Sequence, residues 1–334
     1  MRKIFVAAVV IAVVVLAGFA VWSLNHGNGA GPGVPESITI ASPPLEQADF
    51  IYIAEDQGLF AENGLNVTVL DGYTNGVASV NAMANGETDL SVSAEYPVVT
   101  AILGRKNISV ISTIDEFQTS WITARKDREI STIAGLKGKR IGLPRGTIVE
   151  FYLGRFLTLN GINLSAVTLV DINASQSVDA LARGDVDAMT YFQPYAYAIQ
   201  VRMGDNGASW PTQGGQLVYA VVAGRQEWVS EHPGTITKFL KSLSGAEVYA
   251  NSHPKEAERI VQKRLNLSDS YLASAWPEHR FSLSLDQSLL VAMNDEARWA
   301  INNNLTAEKT VPDFRSYIST EELTRVQPEA VNIR

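Results

Sequence analysis

From residue 37 onward the apolar positions follow two alternating periods. Residues 37–42 (SITIAS) alternate apolar and polar and predict a strand, which Pro43-Pro44 ends. A polar turn over 46–49 leads into a helix over 50–62. Ile53, Ala54, Leu59 and Phe60 fall on one face of it, and Asn63-Gly64 supplies a C-terminal stop. A second strand is predicted over 65–70 and a turn over 72–76. Val77, Val80 and Met83 then mark the face of a helix stopping at Asn85-Gly86. A third strand over 89–93 and a helix over 97–103 follow. Strand and helix alternating at this spacing is the pattern of a parallel sheet. Two more apolar strands, 107–114 and 121–125, are joined by a polar bridge over 115–120, expected to carry the chain from one lobe to another.

The same rhythm then repeats. Strands are predicted over 139–143, 166–170 and 187–191. The helices between them cover 148–159, ended by Asn160-Gly161, and 175–183, ended by Gly184, and Pro194 opens another. Residues 85–90 (NGETDL) and 183–188 (RGDVDA) occupy corresponding places, each a helix end, a glycine stop, acidic residues and a buried strand. Residues 217–223 (LVYAVVA) predict a strongly apolar strand, with the polar segment before it as the return crossing. From Arg225 onward the pattern reads as almost entirely helical, over 235–250, 254–265, 268–276 and 286–302, and these helices are expected to pack back on the first lobe. The predicted fold class is α/β in two lobes, each a mainly parallel sheet flanked by helices. Residues 37–118 form the first lobe, 119–216 the second, and 217–334 the return to the first lobe with the C-terminal helices. Closure of two such lobes needs hinges at the crossings.

The N-terminus bears on location. Arg2 and Lys3 precede residues 4–24, twenty-one residues whose one strong polar group is Ser23. A signal-peptide core runs to roughly 7–15 residues and a spanning helix to about 20. Length therefore favours residues 1–24 as an uncleaved membrane anchor, with the basic end inside. Gly18-Phe19-Ala20 also offers a small-x-small site for cleavage after Ala20, which would release the chain. Residues 25–36 (NHGNGAGPGVPE) read as a flexible linker. Asn-x-Ser/Thr sequons at Asn66, Asn107, Asn163, Asn173, Asn266 and Asn304 are compatible with an extracytoplasmic life.

Composition narrows the chemistry. With 46% apolar and 19% charged residues, the 334-residue chain is globular. A net charge of −8 without any basic run beyond pairs disfavours nucleic acid, because phosphate neutralisation needs a basic face. The absence of cysteine excludes disulfides, thiolate metal sites, cysteine nucleophiles and a lipid-modified cysteine. His26, His232, His253 and His279 lie scattered, no His/Asp/Glu grouping has metal-ligand spacing, and no nucleophile elbow or phosphate loop occurs. No catalytic residue, metal or cofactor is expected.

In a two-lobed α/β protein the cleft is lined by turns at the carboxyl ends of strands. The candidate ligand-binding residues follow from position: Glu46 and Gln47 after the first strand, Asn75 after the second, Glu95 and Tyr96 after the third. Trp121 lies by the crossing. From the second lobe come Arg145, Gly146 and Thr147, then Tyr191 and Gln193. The stretch 133–150 (IAGLKGKRIGLPRGTIVE) is the centre of this reading. Thr147 stands at a helix N-cap with Glu150 at capping-box spacing, so the turn aims unpaired N–H groups and a positive helix end at a ligand. Ordinary capping would look the same. Arg145 suits a carboxylate, sulfonate or phosphate, whereas Glu46 and Glu95 suit an amine or cation, though solvent is the commoner fate of each. Tyr96, Trp121 and Tyr191 would form an aromatic wall. Phe192 reads as core, and Asp185 and Asp187 as structural. Ligand charge stays open on these residues.

Residues 51–67, IYIAEDQGLFAENGLNV, resemble the nitrate/sulfonate/taurine type of substrate-binding protein of ABC importers, a family that includes binders of thiamine pyrimidine precursors. Residues 85–93 (NGETDLSVS), 136–146 (LKGKRIGLPRG) and 184–194 (GDVDAMTYFQP) agree with it in order and spacing. The resemblance covers about residues 37–250. It implies a periplasmic-binding-protein type II-like fold, a small solute held in the interlobe cleft, no chemistry, and delivery of that solute by a monomer to an ABC permease and its ATPase. The missing cysteine and the long apolar N-terminus depart from many bacterial members, and an uncleaved anchor suits a monoderm or archaeal surface. Two rivals remain. One is an enzyme on the same fold, such as a menaquinone-pathway dehydratase or a yeast-type pyrimidine synthase, the latter dependent on a cysteine-rich motif. The other is a surface ligand sensor.

Overall fold

The computed structural model describes residues 34–333, so the proposed membrane anchor and nearly all of the linker lie outside the described residues. No described helix is long and apolar enough to cross a membrane.

The strands are β1 (Glu36–Ala41), β2 (Leu65–Leu70), β3 (Leu90–Ala94), β4 (Ile108–Phe117), β5 (Trp121–Arg125), β6 (Arg140–Leu143), β7 (Thr168–Asp171), β8 (Ala188–Tyr191), β9 (Gly207–Pro211), β10 (Val218–Arg225) and β11 (His279–Ser284). Among the described residues they form a six-stranded sheet of order β11-β4-β10-β3-β1-β2 and a five-stranded sheet of order β7-β6-β8-β5-β9. Each sheet has its own apolar core. Ile38, Ile40, Val92, Ile114, Val221 and Phe239 belong to the first, and Ile122, Ile141, Leu143, Phe156 and Leu157 to the second. Burying each such side chain contributes about 1.5–3 kcal/mol.

The expectation of mainly parallel sheets needs correction. β1 runs parallel to β3, and β6 runs parallel to both β7 and β8. However, β10 is antiparallel to β3 and β4, β11 is antiparallel to β4, and β5 is antiparallel to β8 and β9. The cause is topological. β5 and β10 are strands that have just arrived from the opposite lobe, so no strand–helix–strand unit fixes their direction. β10 inserts between β3 and β4 and splits the parallel arrangement.

Three local expectations also change. The predicted helix over 50–62 is two helices, Asp49–Asp56 and Leu59–Glu62, broken at Gly58 with φ of 70°, a conformation that glycine adopts without steric cost. The polar bridge over 115–120 is shorter, because β4 runs on to Phe117 and takes Asp115 and Glu116 into the sheet. Finally, the segment after Arg225 is not all helix: β11 lies inside it, at the edge of the first sheet.

The helix Ile148–Leu159 belongs to both lobes. Ile148, Val149, Phe151 and Tyr152 pack into the first core, and Leu153, Phe156 and Leu157 into the second. Phe151 stacks on Tyr96 at 6.0 Å and meets the edge of Trp299, from the helix Gln287–Asn302, at 5.5 Å. The lobes are therefore in contact along this helix, and its N-terminus faces the space between them.

Candidate functional site

That space is a cleft with about 570 Å³ of atom-free volume, part of it open to solvent. Several regions of the chain wall it. Leu45, Glu46 and Gln47 follow β1; Asn75, Gly76, Ala94 and Pro97 come from the starts of the helices Gly76–Ala84 and Glu95–Leu103. Phe117 ends β4, Thr119 and Ser120 lie in the first crossing, and Thr147, Ile148, Phe192 and Gln193 come from the second lobe, with His279 closing the wall from β11.

Five of the eleven candidate residues line it: Glu46, Gln47, Asn75, Thr147 and Gln193. A single 3-10 turn, Glu46–Ala48, places the first two, and both are buried. The Tyr271 phenol donates to Glu46 Oε1. Asn75 spends its carbonyl on capping the helix Gly76–Ala84, accepting from the Ala78 amide at 3.0 Å. Gln193 Oε1 likewise accepts from the Tyr197 amide at 2.9 Å. For both, the amide NH2 is the group left to meet a solute.

The other six stand elsewhere. The capping box between Thr147 and Glu150 does not form: Thr147 Oγ1 donates to the Pro144 carbonyl at 2.8 Å and makes no side-chain cap on the helix. Glu150 folds back instead, accepting from the Gly146 amide at 2.7 Å and pairing with Arg145 Nε at 2.9 Å. One buried carboxylate thus occupies both the guanidinium and the amide expected to hold an anion, and neither Arg145 nor Gly146 lines the cleft. Glu95 is fully buried; its Oε2 accepts from the Tyr219 amide at 3.1 Å, and its carboxyl interacts with that of Glu296, also fully buried. Burial pushes the Glu95 carboxyl up to about 8, against the pull of the amides that donate to it. Burial raises Glu296 as well, reinforced by Glu95.

Nor is the expected aromatic wall assembled. Tyr96 is 1% exposed between Phe151 and Trp299. Tyr191 is equally buried, donating to the Ile172 carbonyl at 3.3 Å and packing on Tyr195. Trp121 sits in β5 between Tyr191 and Pro211. The aromatic surfaces of the cleft are Phe117 and Phe192, and Phe192 also packs against the cores as its sequence context implies.

His279 is the residue that sequence reading passed over. Its Nδ1 lies 2.5 Å from Asp115 Oδ2, and Asp115 Oδ1 accepts from the Arg280 amide at 3.2 Å. Both side chains are buried, at 3% and 0% exposure. The imidazole stacks on Phe117 and Phe281, at 5.3 and 5.2 Å. Burial alone would lower the imidazole's proton affinity; the Asp115 carboxylate outweighs it and holds the ring above its ordinary range. A signal was present: His279, Phe281 and Leu283 alternate along HRFSLS, and Asp115 interrupts an apolar run. Glu46 and His279 are the ionisable side chains among the residues lining the cleft, which include no Lys or Arg. Among the described residues no group of three or more His, Asp or Glu is placed to hold a metal ion.

Comparison with known proteins agrees with this architecture. A protein of Brucella abortus, provisionally named as a binding protein, is 26% identical over 226 residues, which are 66% of this chain and 68% of that one. The periplasmic aliphatic sulphonate binding protein SsuA of Escherichia coli superposes with a TM-score of 0.71 at 18% identity, over 85% of this chain and 97% of that one. The desulfurization enzyme DSZB superposes with a TM-score of 0.63 at 17% identity, over 88% and 99%. These superpositions establish the fold. Residues 47–257 match the family described as NMT1/THI5 like, well over half of the chain, and the chain belongs to that family.

Proposed function

We propose that this protein is the extracytoplasmic solute-binding component of an ABC importer. It captures a small molecule in the interlobe cleft and delivers it to a permease and its ATPase. The observation that carries this reading is the cleft itself: two sheets, joined by two crossings, present the buried Glu46, Gln47 and Thr147 and the half-buried Gln193 to one shared space. The binding and periplasmic names of the relatives support it. Among solute classes, a sulfonate-, taurine- or nitrate-like anion and a pyrimidine precursor both suit a wall of amides, hydroxyls and two phenyl rings. In this reading residues 1–24 anchor the monomer to the membrane, or leave it secreted if cleaved.

An enzyme on the same fold is the second reading. The Asp115–His279 pair favours it, since a carboxylate-oriented imidazole is how a general base is assembled. One experiment separates the two. Purified protein is melted with and without taurine, ethanesulfonate, nitrate and an aminopyrimidine, and the solutes are then recovered and analysed. A binding protein gains stability with one of them and returns it unchanged. Turnover would favour the enzyme, and no stabilisation by any would count against binding.

A further inference from the structure

We propose that His279 is a ligand-binding residue of this cleft, presenting its Nε2 edge to an acidic oxygen of the bound solute while Asp115 positions the ring. The inference rests on the solute-binding reading and assigns its contact.

Geometry supports it in three ways. The ring cannot turn away: Nδ1 is held at 2.5 Å by Asp115, and the plane is fixed by stacking on Phe117 and Phe281. The opposite nitrogen, Nε2, is buried and has no hydrogen-bond partner in the protein, although His279 lines the cleft. A buried polar atom left unpaired costs about 1–3 kcal/mol, and a solute group reaching this wall residue would supply the missing partner. Finally, Arg145 is tied to Glu150, so no guanidinium of the lining residues competes for an anion. Glu46 remains as the partner for a donor at the solute's other end. The class that fits is a small dipolar molecule with an acid group and an amine or amide group.

The charged groups facing the ring are Asp115 on β4, Glu46 on the turn after β1, and Glu278 next to it in the chain. Burial raises Asp49, and the neighbouring Asp115 carboxylate adds to the shift. All three carboxylates favour the imidazolium, which donates from Nε2.

The test uses the full chain, with taurine and ethanesulfonate titrated calorimetrically between about pH 5 and 9. Wild-type affinity for the bound probe is expected to fall as pH rises and the imidazolium is lost. His279→Gln should weaken binding at the acidic end by about 10-fold or more and abolish the pH slope, since charged hydrogen bonds are worth about 1.5–3 kcal/mol. Asp115→Asn should move the fall to lower pH. Unchanged affinity and slope in His279→Gln would overturn the proposal. Nitrogen NMR of the wild-type imidazole guards against misfolded variants: the Nε2 resonance must move on saturation with a bound probe, and a stationary one overturns the assignment. Failure of the wild type to bind either probe would instead overturn the reading of the cleft as an acid-binding site, and this contact with it.

Discussion

Gln213 Oε1 accepts a hydrogen bond from the Ser120 amide at 2.8 Å, tying the return crossing to the outward one. The same side chain donates from Nε2 to the Phe117 carbonyl at 3.0 Å, and the Thr212 amide donates to the Ser120 carbonyl at 3.0 Å. Both crossings are therefore joined in one bonded strip beside the cleft, which Phe117 and Ser120 line. Gln213→Ala strands a buried amide and a buried carbonyl together. It should lower unfolding free energy by about 1–3 kcal/mol in urea denaturation, the cost of unpaired buried groups. A loss no larger than that of a surface substitution would show that the strip contributes nothing.

Burial of Glu95 and Glu296 side by side makes stability depend on pH with an unusual sign. An unfolded carboxyl releases its proton near pH 4.3, whereas the folded Glu95 keeps its proton to about 8. Between those values the folded chain binds more protons, so stability is full below the lower pH and falls as pH rises across the window, by about 1.4 kcal/mol per pH unit where steepest. Melting temperatures followed from about pH 5 to 8 should decline and then level off, and Glu296→Gln should flatten the decline. A stability that rises over this range would contradict the buried pair.

Gly154 tests the contact between the lobes. Alanine in mid-helix normally stabilises by about 0.5–1 kcal/mol over glycine. Here a Cβ would lie 2.5 Å from the Trp299 ring across the lobe boundary, and such overpacking costs about 1–3 kcal/mol. The second effect is the larger, so Gly154→Ala should lower the melting temperature. A stabilised variant would mean that the lobes do not meet at this helix.

Arg145 is expected to be dispensable for ligand. Its side chain is 40% exposed, paired with Glu150 and outside the cleft lining. Arg145→Ala should change the affinity for a sulfonate probe by less than about five-fold, the worth of a partly exposed ion pair. A larger loss in calorimetric titration would place the side chain on the ligand after all.

Period alone was enough to read several of the elements. The blocks 37–42, 65–70, 148–159 and 254–265 each carry one clean periodicity, and each became the element it predicts. What stayed hidden lay where partners are distant in sequence. β9 (GASWP) contains both glycine and proline and acquires strand geometry only by pairing with β5. His279 meets Asp115 across 164 positions, which no local pattern reports. The turn at 145–147 shows the opposite failure. Residue types and spacing there match an anion grip, and one rotamer of Glu150 redirects the donor and the cation to itself. Tyr191 ends β8 and Tyr96 stands in the first turn of the helix Glu95–Leu103, and both rings pack into the cores instead of the cleft.

The central claim is that one small solute binds between the lobes without reacting. Isothermal titration of the full chain with taurine, ethanesulfonate, nitrate and an aminopyrimidine measures this most directly. A single saturable site of one solute per chain for a member of the panel, with that solute recovered intact, is the predicted result. No heat from any of them, or heat that continues at a steady rate as product accumulates, would contradict it.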